Sequence, residues 1–255
     1  MKNPRIYQPI TLGLEKNEFD GKNPNNIFSL DESGSHHIGK VLRMQTGDLL
    51  RIFNGQGGEY QACITEVSKK KVCVALTAFN SDNNNSPLDI HLAQVMSRGD
   101  RMDYVIQKAV ELGVRSITPL TSARCEVRLN PQRQEKRLLQ WQQQVISACE
   151  QCGLNIIPSI NNCQSLEVFC ETIKSEKGKK IILHPGKHRA NEYFTQSTSK
   201  EVTVLIGPEG GFNDDEISLA QQQGFDCLTL GPRVFRTETA PVAMLTLLQH
   251  YWGDL

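Results

Sequence analysis

The hydrophobic pattern changes period once along the chain. Up to about residue 79 the apolar positions come in short runs broken by turn residues. The runs are Leu49–Phe53, then residues 60–67 and 71–76, with Asn54 and Gly55 between the first two. Alternation over such lengths bounded by glycine and asparagine predicts short antiparallel strands closing into a small barrel, here with one short helix at 36–43 before Thr46-Gly47-Asp48. The cluster Gly55-Gln56-Gly57-Gly58 lies between two predicted strands with no helix after it, so it reads as a hairpin turn rather than a phosphate loop.

Residues 80–87, Asn-Ser-Asp-Asn-Asn-Asn-Ser-Pro, are polar and closed by a proline, and read as a linker between domains 1–79 and 88–255. Beyond it strand and helix alternate. Strands are expected at 90–96, 116–120, 180–184, 202–206 and 226–230. A helix from 101 to 112 carries Met102, Val105, Ile106, Ala109 and Leu112 on one stripe, with Lys108 and Glu111 close together on another face. Asn130 caps a long helix whose stripe is Leu138, Trp141, Val145 and Cys149. Asn213 with Glu216 forms a capping box for a helix that Gly224 stops. Thr237 or Thr239 is expected to cap the last helix, with Pro241 in its first turn and an apolar stripe of Val242, Leu245, Leu248 and Trp252. This alternation predicts an α/β domain on a mostly parallel sheet.

The length of 255 residues suits one large or two modest domains. No apolar stretch reaches membrane-spanning length and the first residues lead into no apolar segment, so a cytoplasmic protein without membrane contact is expected, its eight cysteines reduced. Lys plus Arg and Asp plus Glu both number 28. The balance argues against a basic nucleic-acid footprint, but the distribution does not. Arg124, Arg128, Arg133, Lys136 and Arg137 fall in one stretch against only Glu126 and Glu135. The stretch is either a solvated face or a phosphate contact.

Two loops concentrate the candidate chemistry: Gly207-Pro208-Glu209-Gly210-Gly211 after one strand, and residues 231–240, GPRVFRTETA, after the next. Residues without a Cβ leave amides and carbonyls uncovered, so two such turns on neighbouring strands outline one pocket for a ligand held by backbone. No GxxxxGK[ST] or GxGxxG motif stands at a strand-to-helix junction, no lysine lies in the first loop, and Glu209 would repel an anion, which favours a neutral or cationic ligand. Cys149 and Cys152 form a CxxC at the end of a helix, with Cys163 and Cys170 loosely spaced beyond, and no metal is assigned to them. His184, at an expected strand end beside Pro185 and Gly186, would line the same edge as the loops, its backbone being a better contact than its imidazole.

The strings GPEGGF and LGPRVFRTETA, with PRIYQP, KVLRMQTGD, QKAVELGV and ACEQCG in order along the chain, resemble the RsmE family of 16S ribosomal RNA uridine N3-methyltransferases, in the SPOUT class. The resemblance covers nearly the whole chain. It implies a deep trefoil knot in the C-terminal domain and a PUA-like RNA-binding barrel before it. It further implies S-adenosylmethionine as cofactor, held around Leu183, His184, Gly186, Ile206, Gly207, Gly210, Gly211, Leu230, Gly231, Val234 and Arg236. The implied partners are 16S rRNA in the 30S subunit, near the decoding region, and a second copy of the chain in a homodimer. Arg5 and Arg43, inside two of the matching strings, join the 124–137 run as expected RNA contacts.

Methylating uridine N3 needs a proton acceptor and stabilisation of charge on the flanking carbonyls. Arg236 and Glu238 are the pair of cation and carboxylate in the loops that meets both needs, unless they only bridge to each other or to the helix start. Relatives typically continue after the EQCG-like string with arginines, whereas this chain has Leu154 and Ile156 in those places. A nucleotide enzyme of doubly wound type and an RNA-binding factor with a vestigial pocket are the competing readings.

Overall fold

A computed structural model describes residues 3–9, 26–173 and 177–255, with backbone alone at 185–189 and 191. The chain divides into two compact units, one of residues 1–85 with 149–157, the other of 86–148 with 158–255.

The first unit is built on β1 (Arg5–Tyr7), β2 (Ile27–Ser29), β3 (Leu49–Phe53), β4 (Glu59–Val67) and β5 (Val72–Asn80), in the order β1-β3-β4-β5-β2. The sheet is mixed rather than wholly antiparallel, because β1 runs parallel to β3. A parallel neighbour needs a long connection, and the segment between them supplies it. Ile6, Leu50, Ile52, Ile64, Val74 and Leu76 form its core with Ile38. Helix α1 (Glu32–His36) begins earlier than expected, because Asp31 accepts the Gly34 amide at 2.7 Å as N-cap, and it runs into a π-helical turn at His37–Val41.

Arg5, expected at an RNA surface, is instead a core residue. Its side chain is 2% exposed, pairs with Glu59 at 3.0 Å, stacks 3.7 Å over Phe53, and donates to the carbonyls of Cys149 and Leu154 and to Asn155 Oδ1. This guanidinium gathers the 149–157 segment into the unit. Leu154 is buried there, and Ile156 bridges to Gln56. Burial also pushes the Cys149 thiol up to about 12, which leaves it protonated and unreactive.

The second unit carries β6 (Asp89–Val95), α2 (Arg101–Glu111), β7 (Ser116–Thr121), α3 (Pro131–Cys152, ending in the first unit), β8 (Ser159–Ile160), β9 (Gln164–Ser165), α4 (Leu166–Ile173), β10 (Lys179–Arg189), α5 (Ala190–Gln196), β11 (Glu201–Ile206), α6 (Asp214–Gln222), β12 (Asp226–Thr229) and α7 (Thr239–Trp252). Its sheet is parallel at every pairing, in the order β12-β10-β11-β6-β7-β8, with β9 beside β7. Strands buried on both faces read as continuous apolar runs, as Val202 to Ile206 do. Helix α2 packs against α7 and α4 against α6. Met102, Val105, Ile106 and Ala109 are the buried stripe of α2, and Lys108 pairs with Glu111 at 2.8 Å.

Two expectations for this unit change. Strand β10 does not stop at His184: Leu183 and His188 both lie opposite Leu228, so residues 184–187 leave the ladder and return to it. Helix α7 has no side-chain cap, since Glu238 occupies that position and Thr237 is engaged elsewhere. Leu245 and Leu248 of its stripe are wholly buried within the single chain, whereas Val242 and Trp252 are half-buried.

Candidate functional site

After β6 the chain moves through β7 and β8 on one side of it, then returns on the other side with β10, β11 and β12. Such a reversal leaves a crevice at the carboxyl ends of the strands, where ligands of open α/β sheets sit. The loops leaving β6, β7, β11 and β12 meet there.

The loop after β11 turns on Gly211, whose amide donates to the Pro208 carbonyl at 2.9 Å, and it feeds α6 through the capping box of Asn213 and Glu216. Glu216 also takes the Ala123 amide at 2.7 Å, which ties the loop after β7 to this helix. From that loop Arg124 donates to the carbonyls of Gly210 at 2.9 Å and Phe212 at 3.4 Å. The loop after β12 is pinned by Thr237, whose hydroxyl donates to the Gly207 carbonyl at 2.9 Å and lies 3.3 Å from Gln94 Nε2 and from Ser97 Oγ. The two glycine loops are thereby held at fixed spacing by a threonine buried between them.

They enclose a cavity of about 1040 Å³. Leu183, His184, Ile206, Gly207, Gly210, Gly211, Leu230, Gly231, Val234, Arg236 and Glu238 line it, so residues from three separate strand ends come together. Gly186 falls in the stretch described by backbone alone. The wall is bare where it matters: a Cβ built on Gly211 (φ +67) or on Gly231 (φ +130) would meet nothing within 4 Å. Gly210 differs, since a Cβ there would press on Arg124 at 3.3 Å.

Arg236 and Glu238 do not bridge to each other. The Arg236 side chain is exposed into the cavity, and at the start of α7 its backbone carbonyl, not its guanidinium, accepts the amides of Thr239 and Ala240 at 3.0 Å. Among the described residues Glu238 Oε2 is buried without a hydrogen-bond partner, and Arg101 Nε lies 3.9 Å from it. A carboxylate oxygen in that state is costly and needs a reason.

Arg101 is the functional residue missed in the sequence. It stands in the first turn of α2, is hydrogen-bonded to Glu209 at 2.7 Å, and lines the cavity with Glu209 and Glu238. Glu209, expected to repel anions, is thus neutralised locally. The available signal was the Ser97–Asp100 stretch with Gly99, which leaves β6 much as the two glycine loops leave β11 and β12.

Of the expected RNA contacts, Arg43, Arg128, Arg133 and Lys136 are exposed. Arg137 is half-buried, 4.0 Å from Asp103. Arg124 serves the glycine loop, as described. Among the described residues no cluster of His, Cys, Asp or Glu could hold a metal ion, and no helix is long and apolar enough to cross a membrane.

The RNA methyltransferase domain model matches residues 84–249 and the RNA methyltransferase PUA domain model residues 30–77. The chain is 39% identical over 252 residues to ribosomal RNA small subunit methyltransferase E of Buchnera aphidicola subsp. Schizaphis graminum, covering 99% of this chain and 98% of the relative. Among solved structures, a methyltransferase from Legionella pneumophila in complex with the cofactor SAM has 42% identity and a TM-score of 0.89, each chain fully covered. Ribosomal RNA small subunit methyltransferase E from Neisseria gonorrhoeae, bound to S-adenosyl methionine, has 33% identity and a TM-score of 0.85 over 99% of both chains.

Proposed function

Because the chain belongs to the ribosomal RNA small subunit methyltransferase E family, we propose that it binds S-adenosylmethionine between its two glycine loops and methylates N3 of a uridine in 16S rRNA. The substrate is the 30S subunit near its decoding region, and the protein works in the cytoplasm. The observation that carries this reading is the buried Glu238 carboxylate oxygen, without a hydrogen-bond partner among the described residues, in the wall of a backbone-lined cavity that Arg236 also lines.

The residues present fit such a cofactor. The open space over Gly211 and Gly231 accepts a bulky group against backbone, and Leu183, Ile206 and Leu230 give it an apolar bed. When bound, S-adenosylmethionine supplies a methyl group on a sulfonium.

The protein's own residues do the rest. Glu238 Oε2 accepts the N3 proton of the uridine, directly or through one water, which leaves N3 the lone pair that would take the methyl group as the cofactor's sulfonium gave it up and left as a neutral thioether. Arg236 donates to a flanking carbonyl oxygen, on which negative charge builds as the proton leaves. Thr237 keeps the two residues at fixed spacing from the first loop through its bond to Gly207.

In the test, 30S subunits that lack the modification are incubated with the protein and methyl-labelled cofactor, then digested to nucleosides. Label in N3-methyluridine is expected, and label in any other nucleoside contradicts the reading. The homodimer remains part of the proposal, with Val242 and Trp252 as the half-exposed part of the α7 stripe, and a monomeric mass in light scattering at micromolar concentration would remove it.

The exposed cations at the start of α3 are proposed to meet rRNA phosphates. Replacing Lys136 and Arg137 together by alanine is expected to weaken 30S binding and flatten its salt dependence, with cofactor affinity unchanged, because each lost phosphate contact releases fewer counterions. An unchanged salt slope in filter-binding titrations returns this run to a solvated helix face.

A further inference from the structure

A second cavity, of about 740 Å³, opens at the start of α2, and it shares Arg101, Glu209 and Glu238 with the larger one. We propose that this second cavity seats the target nucleobase, with Tyr104 as its stacking platform and the Arg101–Glu238 pair reading the edge of uracil. The inference rests on the methyl-transfer reading above.

Three observations carry it. A group passed from a donor in one cavity to an acceptor in another must cross their common wall, and the partnerless Glu238 Oε2 belongs to that wall. Tyr104 is 45% exposed and lines the second cavity but not the first, and with Lys108 Nζ 5.9 Å from the ring centroid it leaves a ring face for a planar ligand. The lining holds Asp100, Glu126, Glu209 and Glu238 against Arg98 and Arg101, an excess of acid that disfavours a phosphate but tolerates a neutral base. The volume is in the range of ligand sites, roughly 300–1,000 Å³.

The chemistry of the wall selects among bases. Uracil presents a carbonyl, the N3 hydrogen and a second carbonyl in a row. Glu238 accepts from the N3 hydrogen, while Arg101, whose fork keeps donors beyond the one on Glu209, donates to the adjoining carbonyl. Cytosine would turn a bare N3 lone pair toward the carboxylate and an amine toward the guanidinium, so both contacts would be repulsive.

The test compares Tyr104→Ala, Tyr104→Gln and Tyr104→Phe with the wild type on 30S subunits, with S-adenosylmethionine affinity measured by calorimetry. Loss of stacking is expected to lower kcat/KM for the subunit by roughly tenfold or more in the alanine and glutamine variants. Tyr104→Phe recovers most of that loss, and cofactor affinity stays within about twofold of wild type in all three, on the same stacking argument. The glutamine variant keeps a long polar side chain on the helix surface and serves if the alanine variant fails to fold. Undiminished activity without the ring overturns this inference and leaves the methyl-transfer reading standing, as does a loss that follows cofactor affinity. A wild-type protein inactive on every small-subunit RNA overturns both.

Discussion

Alanine in place of Arg236 is expected to slow single-turnover methyl transfer to 30S subunits by roughly a hundredfold or more, with affinities for both ligands close to wild type. The uracil carbonyls are nearly neutral in the bound ground state and gain charge as the N3 proton leaves. A guanidinium aimed at them is therefore worth more in the transition state, and that difference shows in the rate rather than in binding. Among the described residues no carboxylate pairs with the Arg236 side chain, so none must be displaced first. Glu238→Gln should also slow the step, and its residual rate should climb with pH, because hydroxide then takes the proton that Glu238 no longer accepts. Full activity in the Arg236 variant would demote it to loop structure, and a flat pH profile in a slowed Glu238 variant would remove the carboxylate from the mechanism.

Gly211→Val is expected to abolish detectable S-adenosylmethionine binding in calorimetry while the first unit keeps its fold. At φ +67 the glycine is in the left-handed region, which a β-branched residue adopts only with strain. The added branches would also fill space now open above the loop. Gly210→Val is expected to act by another route, since its Cβ meets the Arg124 side chain and would loosen the carbonyl contacts that Arg124 makes. Unaltered affinity in the Gly211 variant would mean that the cofactor lies elsewhere.

What could be read from the chain is what depends on neighbours in sequence. The Asn213–Glu216 box, the stripe of α2 and the apolar runs of β6 and β11 each declare themselves within a few residues, and two glycine turns after such strands mark one edge of a parallel sheet. Contacts across long separations leave no such mark. Arg5 looks like any surface arginine until the chain brings Glu59 and the 149–155 carbonyls around it. Thr237 looks like a helix cap, yet its partner is the Gly207 carbonyl of another loop. Strands β8 and β9 have two residues each, too few for any period to show. The α7 stripe reads equally as core or as interface, and only the folded chain shows Leu245 and Leu248 buried with Val242 and Trp252 half-buried. A knot concerns how the chain threads, which neither periodicity nor composition records.

The activity proposed for this protein is transfer of a methyl group to N3 of one uridine in 16S rRNA. It is tested most directly by mass spectrometry of nuclease fragments of 16S rRNA from cells with and without the protein. One fragment from the decoding region is expected to lose the mass of a methyl group on a uridine when the protein is absent, and to regain it on complementation with the wild type but not with the Arg236→Ala variant. Identical fragment masses in the two strains, or a methyl group lost from another base, would contradict it.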